Sequence, residues 1–61
     1  MNTNNNHFIG VRGNQVFVLK PISAEMSPEE AMIAAAWLVT MAQCAGCTVD
    51  FNEVLKEVQS S

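Results

Sequence analysis

Positive charge is scarce in this chain of 61 residues: Arg12, Lys20 and Lys56 face six acids, and with His7 neutral the net charge is −3. Binding to nucleic-acid duplexes or strands is led by clustered cations that meet phosphates, so no such partner is expected. A small anionic ligand is a different case, because a symmetric ring of copies multiplies a single Arg or Lys. Cysteine is equally sparse, and two thiols cannot supply the framework that staples small secreted domains. Histidine occurs once, at His7, and the serines fall in a cap, a loop and the tail. No pair of carboxylates sits on an element that would hold it in an apolar pocket, so no catalytic constellation stands out and an enzyme is not expected. The opening MNTNNN has neither the basic flank nor the apolar core of an export signal. It reads as a disordered polar leader over residues 1–6, ahead of a single small domain over 7–61, with the cytoplasm as the expected compartment.

What the chain does have is one long greasy stretch. Ala31 to Ala45 runs AMIAAAWLVTMAQCA, in which only Thr40 and Gln43 are polar, so a helix formed here is apolar on nearly every side. Such a helix must be buried all round. A domain of this size buries only about 60 percent of the surface its unfolded chain exposes, too little to wrap the helix from within. A homo-oligomer is therefore expected. No membrane span is expected, since the run to Cys47 is near the lower limit of ~17 to 25 residues, holds Gln43, and lacks Lys or Arg at either end.

Ahead of that stretch, Phe8 to Val11 and Val16 to Leu19 are short runs rich in Val, Ile and Phe. Gly13-Asn14 between them is a two-residue hairpin signal, with Gly13 at the position that needs positive φ. The turn pairs Arg12 with Gln15, Val11 with Val16, Gly10 with Phe17, Ile9 with Val18 and Phe8 with Leu19. Alternation then puts Ile9, Val11, Val16 and Val18 on one apolar face. Phe8, Leu19 and Phe17, the last lying over Gly10, take the other. A single helix covers only one face and leaves both strand edges open, a second and independent pointer to self-association.

Lys20-Pro21 ends the second strand, and Ile22 to Met26 form a connector. Ser27-Pro28-Glu29-Glu30 reads as a helix start, with Ser27 as N-cap, Pro28 at the first helical position and Glu30 completing a capping box. Gly46 is the natural stop. Asp50 then caps a short amphipathic helix from Phe51 to about Gln59, with Glu53 as its box partner and Val49 stapled to Val54. Phe51, Val54, Leu55 and Val58 form its apolar face. The expected fold is α+β: an N-terminal β-hairpin, a long apolar central helix and a short C-terminal amphipathic helix folded back on it, in the order ββαα.

Cys44-Ala45-Gly46-Cys47 straddles a helix C-terminus, where the dipole opposes a thiolate, so a thioredoxin-like role is disfavoured. As half of a zinc site it lacks a second pair within the chain. The expectation is two small, half-buried structural cysteines, with no metal and no cofactor. Trp37 shares a stripe with Ile33, Thr40, Met41 and Cys44 and is read as a core or subunit contact, the alternative being a stacking plate for a base. Small residues at Ala31, Ala35, Ala42 and Gly46 let another backbone approach. Contacts between copies are therefore expected at Ala31, Ala35, Trp37, Leu38, Met41 and Ala42, with Phe17 on the hairpin. Arg12, Asn14 and Lys20 are the polar groups best placed to hold a small anionic ligand, Arg12 forking onto a phosphate or carboxylate where subunits meet.

The segments IGVRGNQVFVL and MSPEEAMIAAAWLVTMA together resemble a group of short orphan proteins of tailed bacteriophages, with an Ile-Gly start, a Gly-Asn turn and a helix signature of Met-Ser/Thr-x-Glu-Glu-Ala leading into Ala-Ala-Trp-Leu-Val. The likeness covers Ile9 to Leu19 and Met26 to Ala42; the Asn-rich leader and the Cys44 to Cys47 segment depart from it. What the resemblance implies is a setting, the host bacterial cytoplasm, and not an activity. Small oligomeric phage proteins without catalytic residues resemble counter-defence factors, which cap a host immune protein or soak up its nucleotide signal; virion accessory parts and lysogeny regulators are the other options. The expected function is a non-enzymatic accessory protein that sequesters a small anionic signal such as a cyclic nucleotide through Arg12 and Lys20 in pockets between subunits; the alternative is a protein-protein inhibitor whose acids Glu25, Glu29 and Glu30 mask a basic patch on a host factor.

Overall fold

A computed structural model describes residues 2–22 and 24–61. The expected leader includes Met1 and the expected connector includes Ser23, and both residues lie outside the described ones. The order is ββαα: β1 over Ile9–Arg12, β2 over Gln15–Val18, α1 over Pro28–Cys44 and α2 over Phe51–Gln59.

The hairpin register is the one the turn dictates. Ile9 pairs with Val18, Gly10 with Phe17, Val11 with Val16 and Arg12 with Gln15. Gly13 has φ +63 while Asn14 does not enter the positive region, the pattern of a type II′ turn. The ladder stops one pair short of the expected Phe8–Leu19. Phe8 has turned to φ +50, and only a long bond of 3.5 Å from the Leu19 N–H to the Phe8 carbonyl continues the pairing.

α1 begins where Ser27 caps it: the Ser27 hydroxyl oxygen accepts from the Glu30 N–H at 3.1 Å and donates to the Glu30 carboxylate at 3.2 Å. This is a variant of the expected box, closed through the two side chains. The helix ends in a Schellman motif, with Gly46 at φ +91, Cys47 N–H bonded to the Ala42 carbonyl and Gly46 N–H to that of Gln43, both at 3.1 Å.

α1 packs across the hairpin, more over β1 than over β2. Ile9 is 3% exposed and Ala34 5%, and they are the buried centre; Val11 and Val16 are half-buried, and Val18, at the less covered strand, is exposed. Leu38, Met41 and Ala45 follow Ala34 at i+4, i+7 and i+11, so this side of α1 meets the hairpin.

α2 departs from the expectation. It does not fold back on α1; all nine of its residues are exposed and it shares no packed interface with another element. The reason lies in the connection. Left-handed Gly46 ends α1 and extended Asp50 caps α2, and the segment between them does not bring α2 into a broad interface with α1. The Asp50 carboxylate caps α2 by accepting from the Asn52 N–H at 3.0 Å, one residue earlier than a capping box with Glu53 requires. Val49 is exposed, so it has not closed down as a staple.

Candidate functional site

Three surfaces carry the polar and apolar groups that could bind something. The first is the leader, for whose order the sequence gives no signal. The Asn5 carboxamide stands in for a strand: its Nδ2 donates to the Ile9 carbonyl at 2.8 Å and its Oδ1 accepts from the Ile9 N–H at 2.9 Å. In this register Ile9 points both backbone groups away from β2, so Asn5 pairs an edge that would otherwise be bare. Trp37 ties the leader to α1 through a 2.8 Å bond from its indole N–H to the Thr3 carbonyl. His7 Nδ1 lies 3.2 Å from the Lys20 carbonyl, and the Lys20 N–H donates to the His7 carbonyl at 3.1 Å. Between leader, hairpin base and α1 start lies a polar hollow of about 500 Å³, walled among others by Asn4, Asn6, Lys20, Glu29 and Glu30.

The second surface is the hairpin tip and back. The Phe17 ring lies so close over Gly10 that a Cβ there would stand 2.7 Å from the ring tip, so any larger residue would have to push the ring aside. The Arg12 guanidinium sits 5.4 Å from the centre of the same ring, a cation–π contact that holds it in place. Arg12 forms no ion pair or side-chain hydrogen bond among the described residues, so its donors face solvent. Asn14 instead lines a small hollow against Ala42, Ala45 and Cys47. Lys20 lies beyond the opposite end of β2, roughly 16 Å along the strand from the tip. One copy therefore brings Arg12 and Asn14 to one end and Lys20 to the other.

The third is the outward side of α1. Met32, Ile33, Ala36, Trp37 and Thr40 wall an open apolar groove of about 570 Å³, rimmed by Glu29 and Thr3. Met32 is 73% exposed. Of the residues expected between copies, Ala31 is exposed and Ala35, Trp37, Leu38, Met41, Ala42 and Phe17 are half-buried within one chain. Leu38 and Met41 share the side of Ala34 and so serve the hairpin contact; Trp37 faces the groove.

Cys44 and Cys47 are free thiols and both are exposed, correcting the half-buried expectation: they flank the Schellman turn, which projects from the end of α1. Among the described residues no three His, Cys, Asp or Glu side chains gather as a metal site, and no helix is long and apolar enough to cross a membrane. Sequence reasoning missed Asn5, Thr3 and the groove residues Met32 and Ala36. Hydropathy alone marks the last two, whereas an asparagine that imitates a peptide group leaves no periodic trace. Comparison with protein-family models, curated proteins and solved structures finds no match for this chain.

Proposed function

We propose that this chain is a non-enzymatic, phage-type accessory protein that acts as a homo-oligomer by stoichiometric binding, masking a host defence or regulatory protein. The observation that carries the reading is the amount of apolar surface left uncovered. Phe8, Leu19, Met32, Val49, Phe51 and Val58 are all large, apolar and exposed, a surface that a partner can cover. The acids of the α1 start, Glu29 and Glu30, are exposed beside that surface and give it the sign suited to a basic partner. The resemblance to short tailed-phage proteins supplies the setting, the bacterial cytoplasm.

A second reading, sequestration of a small anionic signal such as a cyclic nucleotide, draws on Arg12. Its guanidinium is pre-oriented by Phe17 with its donors turned outward, so assembly that brings a tip beside the Lys20 end of another copy would complete a pocket. The two readings separate in one experiment. Protein purified from cells is heated and the supernatant examined for an ultraviolet-absorbing ligand, while a panel of cyclic nucleotides is tested for thermal stabilisation. Masking of a protein predicts no released ligand, no shift and counter-defence activity that survives Arg12→Ala. A released nucleotide, or a shift that Arg12→Ala abolishes, establishes sequestration instead.

A further inference from the structure

The apolar side of α2 is only partly covered by its own chain. Phe51, Val54, Leu55 and Val58 line one side of the helix, 42%, 41%, 38% and 65% exposed, and no broad interface with another element covers them. Isolated helices shorter than about 12 to 15 residues are marginal in water, so a nine-residue helix with a continuous apolar stripe depends on a surface outside itself. The α1 groove offers one. From Glu29 to Thr40 it runs about 16 Å along the helix, and the stripe from Phe51 to Val58 is about 10 Å long, so two turns of α2 fit within it. Ala36 lies at the middle of the groove, where a small side chain lets a second helix come close.

Two whole-chain quantities show that the surface left open is enough for a second copy to be the occupant. The chain exposes 4976 Å², whereas a folded monomer of 6.6 kDa exposes about 3900 Å². The surplus, roughly 1100 Å², exceeds the ~800 Å² that each partner contributes to a stable protein–protein interface. The radius of gyration, 12.3 Å, likewise exceeds the ~10.5 Å of a compact chain of this length, as an outstretched arm requires. The cover for its own α1 does not come from its own α2, since the two helices share no broad interface.

We propose that α2 of one copy docks in the α1 groove of a second copy, reciprocally, forming a two-fold dimer by exchange of C-terminal arms. This rests on the homo-oligomer reading above and names its interface. Each arm then covers the other copy's Met32, Ala36 and Trp37, and Trp37, the chain's single tryptophan, reports the docking by its emission.

The test is sedimentation of the full chain and of two variants at concentrations on the order of 10 to 100 μM. Leu55→Glu places a charge on the arm and Ala36→Glu places one in the groove; because Ala36 is exposed in a single copy, its variant keeps the fold, which circular dichroism verifies. The wild type is expected to dimerise with a blue-shifted Trp37 emission. Each variant is expected to weaken dimerisation by about 100-fold or more, since an unpaired charge is buried. An equimolar mixture of the two variants is expected to recover dimers in part, because one intact arm meets one intact groove while the second site, carrying both glutamates, stays open. A wild type that stays monomeric overturns both this inference and the homo-oligomer reading. Self-association unaffected by either variant overturns arm exchange alone, and variants that dissociate without complementing each other overturn it in favour of like-on-like contact.

Discussion

Asn5 and Trp37 show how single polar groups can organise a chain with few large side chains in its core. Asn5 satisfies both backbone groups of Ile9, the most buried strand residue, and Trp37 pins Thr3 across 34 residues of sequence. Trp37→Phe keeps an aromatic ring but removes the indole N–H. The expected cost is about 0.5 to 1.5 kcal/mol, with faster amide exchange confined to residues 2–6 and the hairpin unaffected. Exchange that quickens equally in β1 and β2 would refute so local a role. This is also where the sequence was least legible. Gly13-Asn14 announces its turn, and that turn fixes every pair from Arg12–Gln15 to Ile9–Val18. A row of asparagines announces nothing, because side-chain mimicry of a peptide depends on where the chain already lies.

At the scale of elements, the boundaries of both helices were readable because capping is local chemistry. Ser27 and Asp50 lie one residue before helices that begin at Pro28 and Phe51, and Gly46 closes α1 as a left-handed residue must. Gly46→Ala retains the helix former but forces a Cβ into φ +91; nothing lies within 4 Å of that Cβ, so the cost is conformational, about 1 kcal/mol. A lower urea midpoint with unchanged slope would verify it; an unchanged midpoint would mean the turn relaxes freely. The direction in which α2 leaves was not readable. Amphipathicity says that a helix needs a groove, and a connector that passes through Gly46 permits more than one exit, so the sequence pointed to α1 of the same chain where the structure forms no broad interface.

For the whole molecule, Ile9 and Ala34 are the buried apolar residues of the described chain, a core too small to tolerate loss. Ile9→Ala is expected to cost about 2 to 4 kcal/mol and to leave a single copy largely unfolded at 25 °C, read as lost ellipticity and an early thermal transition. If self-association supplies the missing burial, the wild-type melting temperature rises with protein concentration, and a melting temperature independent of concentration would argue against it. The pairing of Ile9 with Asn5 has one more consequence. Strand addition to this sheet is blocked on one flank, where only Val11 still points both backbone groups outward, while the β2 flank stays available. Any edge-to-edge association must therefore stop at four strands, so the hairpin is guarded against growing into a fibril.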